Sequence, residues 1–421
     1  MKRINLCILA ILGMAGIWSC SNSKADSDIM VVNIDEALNK VEDVKLSDYA
    51  ADINYIMLET ADSALLGNIT KIAFNNENIY IGSTDQMKTV HVFSKDGKFI
   101  KNVGIRGRAK GEYTAIRSII PVPDMNAIMV EGGNKAVIYS LEDGKALRDI
   151  PFDEFLTGQQ LTSRQINGRI ITNASQHVQN IFYNGKGSFT ILTFNKNDGQ
   201  QNLLMLDSDL NVKESVSLRQ GVKYAADAYT QRGGVIKMPP MFVSGSCYML
   251  DGQLNFFHGY KDTLYAIKGN SYIPKMAINY GYYGPKEPNK ITAEEMWAMV
   301  NNESENLIFL NAKMPLSNQQ EADAIGTAHL IYDKIGNRTR LLKFTEDIGG
   351  AVMPGGGAFM NDIDNGLPFW PTEVSGSKMY MTCDAGKFIE LAEKYNSPKM
   401  KEVAAKLTDE SNPILVEVTL K

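Results

Sequence analysis

One pattern recurs along the chain and limits what it can fold into. Short runs of alternating apolar residues are separated by residues that make tight turns. In "VHVFSKDGKFIKNV", Val90 and Val92 alternate with His91 and Phe93, Asp96-Gly97 supplies a turn, and Phe99 to Val103 returns. An Asp-Gly pair can adopt the positive φ that a tight hairpin needs. Immediately upstream, "ITKIAFNNENIYIGS" reads as a second hairpin around "NNEN". Together these make four short antiparallel strands. The unit returns as "IRSIIPVPDMNAIMVEGGNKAVIYSLEDGKALRDI", with turns at "PDMN" and Asp143-Gly144. It returns again as "SFTILTFNKNDGQQNLLMLDSDLNVKESVSL", as "CYMLDGQLNFFHGYKDTLYAIKGNSYIPKMAI", and as "EEMWAMVNNESENLIFLNA" with "AHLIYDKIGNRTRLLKF". A sixth copy begins at "FWPTEVSGSKMYMTCD".

Short strands at even spacing with turn signals between them indicate an all-β repeat fold. A four-stranded unit of about 40–50 residues is the period of a propeller blade. The expected architecture is therefore a six-bladed β-propeller of four-stranded antiparallel blades over residues 31–421. A short helical insertion falls in the last blade, where "GKFIELAEKYNSPKMKEVAAKLTDE" has helical spacing and Pro398 breaks it in two. "TAEEMWAMVNN" is open to a second reading as a helix, because Thr292 and Glu295 stand at capping-box spacing. "PILVEVTL" is the expected last strand. "NYIMLET", Asn54 to Thr60, is the candidate to pair with it, since closure removes open sheet edges.

The N-terminus stands apart. Lys2 and Arg3 precede an apolar run that ends in "IWSC", the form of a signal peptide over residues 1–19. Ser19-Cys20 resembles a bacterial lipobox. Cys20 would then carry lipid, and "SNSKADSD" would begin a flexible tether over residues 20–30. Cleavage by an ordinary signal peptidase is the competing outcome. Loss of Lys2 and Arg3 moves the formal charge from −5 to −7, a poor balance for nucleic-acid binding. Cys247 and Cys383 would remain, to be read as buried small hydrophobes or as a disulfide.

The lipobox, "VFSKDGKFIKNVGIRGRAKGEY", "YKDTLYAI" and "NDIDNGLPFWP" resemble the six-bladed β-propeller lipoproteins of Bacteroidetes, related to NHL-repeat propellers. The blade pattern is carried by Val92, Phe93, Asp96, Gly97, Phe99, Gly104, Gly107, Gly111, Glu112 and Tyr113. The resemblance implies the fold and a cell-envelope, outer-membrane location. It implies no catalytic residues.

Two loops are candidate ligand sites. "GIRGRAKGEY" joins consecutive blades beside the expected channel and gathers Arg106, Arg108 and Lys110, with Glu112 offsetting one charge. A positive spot on an acidic protein suits a carboxylate or a sulfated sugar. "EDIGGAVMPGGGAFMNDIDNGLPFWP" holds Glu346, Asp347, Asp362, Asp364 and Trp370. Asp362, Asp364 and Asn365 resemble part of a calcium loop without the full pattern, and Asp/Asn clusters also form turns. Trp370 could stack on a sugar or pack between blades. His91, His177, His258 and His329 lie at no metal-ligand spacing, and no serine nucleophile elbow is present. The expectation is a monomeric envelope protein held to the membrane by its lipid anchor alone. It would bind a glycan, a peptide or a protein partner, with no catalytic set, cofactor or metal. The alternative is a hydrolase or lyase of the calcium-dependent propeller type.

Overall fold

A computed structural model of the chain describes residues 29–83, 89–156, 161–166, 169–218, 223–229, 235–258, 261–287, 290–292, 294–315, 327–345 and 356–421. The stretch read as a signal peptide, and Cys20, lie outside these residues. Six antiparallel meanders follow one another in the described chain. The first sheet comprises Ile69–Phe74, Asn78–Ser83, Val90–Ser94 and Phe99–Val103. The second comprises Ser118–Val122, Ala127–Glu131, Lys135–Ser140 and Ala146–Pro151. The third runs Gln176–Gly185, Ser188–Asn195, Gln201–Leu206 and Val212–Ser217, and the fourth Ser246–Leu250, Gln253–Phe257, Thr263–Lys268 and Ser271–Asn279. The fifth contains Trp297–Glu303, Leu307–Lys313, Thr327–Asp333 and Arg338–Leu342. The sixth contains Glu373–Ser375, Lys378–Cys383 and Ile414–Leu420, and takes Ala50–Met57 as its fourth strand. Two smaller sheets lie between these: the hairpin Leu161–Ile166 with Arg169–Ala174, and Lys223–Tyr229 with Val235–Phe242 and Lys290–Ile291.

The second and third strands of each meander are its most buried. All of Ala127–Glu131 is buried, as are four consecutive residues of Lys135–Ser140. A strand covered on both faces has no reason to alternate, which is why "AIMVE" and "AVIY" read as continuous runs. Each core is shared between neighbouring sheets. Val92 and Tyr80 of the first pack with Ile128 and Val130 of the second. Met129 and Ile138 of the second pack with Ile191 and Phe189 of the third. The series continues through Leu203 with Phe256, Met276 with Leu330, and Phe309 with Met381. It also joins the sixth sheet to the first: Ile56, Tyr380 and Leu415 pack with Ile79, Ile81 and Phe93, and Tyr380 stacks on Phe74 at 3.8 Å between ring centroids. Full burial of each large side chain stabilises by roughly 1.5–3 kcal/mol. The first strands also lie beside one another, Ile69–Phe74 against Ser118–Val122 and Ser118–Val122 against Gln176–Gly185.

The N-terminal segment crosses the outer edges of three sheets. Met30–Asn33 adds in parallel to Ser271–Asn279, and Val41–Glu42 adds in parallel to Arg338–Leu342. Ala50–Met57 then pairs antiparallel with Ile414–Leu420. The first described strand, Met30–Asn33, thus starts at the end of the stretch read as tether. Arg340 pins the crossing, donating from Nε to Glu42 at 3.1 Å and from Nη1 to Asp48 at 3.0 Å. Covered edges cannot pair with another chain.

"TAEEMWAMVNN" is a strand, Trp297–Glu303, and not a helix. The Glu295 carboxylate does accept the Thr292 amide at 2.7 Å, so the capping chemistry is present and closes a turn. The two expected helices are Ala385–Lys394 and Pro398–Ala404. Ser397 caps the second by accepting the Met400 amide at 3.1 Å. The partner of the last strand starts four residues and stops three residues earlier than "NYIMLET" suggested, at Ala50–Met57. Cys247 and Cys383 are buried free thiols in separate cores.

Candidate functional site

The two ends of the sheets are built differently. At one end, where first strands finish and third strands turn back, short turns close the hairpins. Asn75 accepts the amides of Glu77 and Asn78 through its side chain. Asp251-Gly252 has φ of 48° and 73°, as a type I′ turn requires. At Gly97, φ is 85° and a Cβ would lie 2.1 Å from the Met57 carbonyl, so only glycine fits. At the other end, where first strands begin, lie the connections between sheets, both small sheets and the helical pair, which links the second and third strands of the sixth sheet.

At this second end, charged side chains from consecutive sheets lie within electrostatic reach of one another. Lys71 belongs to the first strand of the first sheet, and Glu373 to the first strand of the sixth. Glu131 ends the second strand of the second sheet, and its carbonyl accepts the Arg117 amide at 2.8 Å. His177 belongs to the first strand of the third sheet. Burial pushes the Glu131 carboxyl up to about 7, against the pull of Arg117 and Lys71. Burial likewise pushes Glu373 up to about 7, against Lys71 alone. Burial, then the charges of Lys196 and Arg117, hold the His177 imidazole below its ordinary range. One lysine thus acts on carboxyls from two sheets, and one arginine on a carboxyl and an imidazole. The exposure is unequal: Lys71 and Arg117 are exposed, Glu373 is half-buried, and Glu131 is 2% exposed. Beside them lies a cleft of about 280 Å³ lined by Thr70, Ser83, Arg106, Thr114 and Ile116, with Tyr113 at its floor.

Of the three cations in the basic loop, one reaches this cleft. Arg106 donates from Nε to the Thr114 carbonyl at 3.2 Å and lines the cleft. Arg108 and Lys110 are exposed and lie outside the cleft lining. Glu112 folds back to accept the Ala109 amide at 2.9 Å. The loop is held over the second sheet: Lys135 donates to the Ala109 carbonyl at 2.8 Å, Asp149 accepts the Gly111 amide at 3.0 Å, and Tyr139 donates to the Gly111 carbonyl at 2.7 Å. At Gly104, φ is 84° and a Cβ would meet the Tyr113 ring at 2.6 Å, which fixes how the loop leaves its strand.

The acids of the other loop are tied to protein donors. Asp362 accepts the Ser47 amide at 2.9 Å and its hydroxyl at 2.6 Å. Burial raises its carboxyl, but these bonds outweigh burial and leave it below the ordinary range. Asp364 accepts from Asn361 at 2.7 Å, Ser397 at 2.6 Å, Gly366 at 3.1 Å and Tyr55 at 3.1 Å. It links a loop, a strand and a helix cap. Trp370 is 2% exposed, with His329 stacked on it at 4.1 Å and Phe359 at 6.3 Å. Glu346 and Asp347 lie outside the described residues. Among the described residues no three His, Cys, Asp or Glu side chains stand where they could hold a metal ion.

Lys71, Arg117, Glu131 and Glu373 were not singled out in the sequence. Glu131 alone left a trace there, as a carboxylate closing the otherwise apolar run "AIMVE".

Among solved structures, the chain is similar to a Bacteroides fragilis NCTC 9343 protein assigned as exported, at TM-score 0.56 and 15% identity over 93% of this chain and 99% of that one. It is less similar to a member of the DUF4221 family from Bacteroides vulgatus ATCC 8482, at TM-score 0.44 and 11% identity over 88% and 97%. RRP9 WD40 repeats match at TM-score 0.39 and 9% identity over 91% and 100%. Only the first is close enough to speak for a shared fold. Comparison with curated proteins gives no match. A family model matches residues 29–419, and the chain belongs to that family, the domain of unknown function DUF4934.

Proposed function

We propose that this is an exported, lipid-anchored recognition protein. Its six meanders form the blades of a closed β-propeller, and its ligand docks where the first strands begin. The blade reading is supported by the unbroken series of shared cores, which includes the sixth sheet with the first, and by Ala50–Met57 completing the C-terminal sheet. Export is supported by the N-terminal pattern and by the likeness to an exported Bacteroides fragilis protein. The observation that carries the binding reading is the convergence of Lys71, Arg117, Glu131, Glu373 and His177 at one end. Such convergence of polar groups from separate elements is what a recognition site needs. The partner is a glycan, a peptide or an envelope protein, and the protein acts as a monomer.

A glycan and peptide array probed with wild type and with Lys71→Ala/Arg117→Ala tests this. Signals should be present for wild type and at least tenfold weaker for the variant. Signals unchanged in the variant refute the assignment of this end. Anchoring is tested separately: Cys20→Ala should move the protein from the membrane to the soluble fraction, because a lipid supplies the attachment.

A second reading has its own observation. Two carboxyls pushed up to about 7 by burial, both acted on by the charge of Lys71, have the proton affinity that acid–base catalysis uses at neutral pH. Polysaccharide turnover that is abolished in Glu131→Gln or Glu373→Gln would favour a hydrolase or lyase.

A further inference from the structure

We propose that the cleft beside Arg106 binds a small organic carboxylate, held by Arg106, with the exposed cations Lys71 and Arg117 next in sequence to its lining residues Thr70 and Ile116. This rests on the recognition reading above and names the ligand chemistry of that end. The argument is one of exposure. A molecule arriving from solvent meets Lys71, Arg106 and Arg117, all exposed, before it meets Glu131, which is buried. The cleft is lined by Thr70 and by Thr114–Ile116, the residues that directly precede Lys71 and Arg117. Arg106 has its Nε committed to the Thr114 carbonyl, which orients the planar guanidinium. Its terminal nitrogens bond no acceptor among the described residues. A guanidinium so held is suited to a carboxylate, which it can bind through two parallel bonds. The hydroxyls of Thr70 and Thr114 donate to Gly82 and Gly132 carbonyls at 3.0 and 3.2 Å. Their oxygens keep acceptor capacity for the donor groups of a ligand. At about 280 Å³ the cleft lies just under the roughly 300–1,000 Å³ of ligand pockets, which suits a small bound unit.

Isothermal titration of the purified protein with galacturonate, with its methyl ester, and with an acetylated dipeptide bearing a free C-terminal carboxylate tests this. The expected result is binding of a carboxylate at least tenfold tighter than the ester. Arg106→Ala should reduce binding at least tenfold while circular dichroism and melting stay unchanged. Lys71→Met is the second variant should Arg106→Ala fail to fold, with the same loss expected. Tighter binding of galacturonate than of the dipeptide identifies a sugar acid as the source of the carboxylate, and the reverse order a peptide terminus; either order supports the site. Equal binding of ester and acid, unchanged binding in both variants, or no binding of either carboxylate at about 10 mM overturns it. Array ligands that are all neutral, yet lost in Lys71→Ala/Arg117→Ala, would overturn this inference and leave the recognition reading standing.

Discussion

The two ends of the sheets use the same residue types for opposite purposes. At the hairpin end, polar side chains are consumed by their own turns. Asp207 accepts the amides of Asp209 and Asn211 and pairs with Lys213 at 2.9 Å. Asp333 accepts the amides of Ile335 and Gly336. At the other end Lys71 and Arg117 stand exposed, while Glu131, the carboxyl on which both act, is buried. Local satisfaction makes a cap. Charges left facing solvent, with their counter-charges behind them, make a site.

The largest expected effect concerns what both ends depend on. Deleting Ile414 to Lys421 removes the strand between Lys378–Cys383 and Ala50–Met57. Cooperative melting should be lost, and limited proteolysis should degrade the protein. A soluble truncation with a sharp melt would show that this strand does not hold the last sheet together.

A smaller effect separates structural acids from the site at the same end. Asp364→Ala leaves Tyr55, Asn361 and Ser397 without their shared acceptor. It should cost roughly 2–4 kcal/mol by denaturant titration and leave ligand binding unchanged. A loss of binding without loss of stability would move Asp364 from scaffold to site.

The smallest effect is a pH dependence. Glu131 holds its proton up to about 7 in the folded chain, against an ordinary value of 4.5. The stability this confers is fully present below about 4.5 and is lost as pH rises through 7, at most about 1.4 kcal/mol for each unit of difference. Melting temperature should therefore fall between pH 5 and pH 8, and Glu131→Gln should flatten that fall. An unchanged slope in Glu131→Gln would mean that the carboxyl is not held protonated.

The repeated meanders were legible because their turns are local chemistry. Asp96-Gly97, Asp143-Gly144 and "NNEN" each fix a turn within a few residues. The helical pair was legible for the same reason, from Ser397, Pro398 and the apolar spacing. The edge additions of Met30–Asn33 and Val41–Glu42 were not. Parallel pairing to strands more than two hundred residues away leaves no turn and little pattern. Asp362 and Asp364 looked like ligands because they are close in sequence, yet their oxygens are taken by Ser47, Tyr55 and Ser397. The converse holds for Lys71, Glu131 and Glu373. They are single charges in three distant strands, and only the packing of sheet against sheet brings them together.

The account turns on which end recognises a ligand. The direct measurement is array binding by three proteins: wild type, Lys71→Ala/Arg117→Ala, and Lys145→Ala/Lys213→Ala, whose exposed lysines pair with Asp143 and Asp207 at the hairpin end. All three should melt alike, since exposed substitutions shift stability by about 0.5 kcal/mol or less. The account predicts binding by wild type and by Lys145→Ala/Lys213→Ala, with at least tenfold loss in Lys71→Ala/Arg117→Ala. Loss in the hairpin-end variant with binding retained by Lys71→Ala/Arg117→Ala would contradict it.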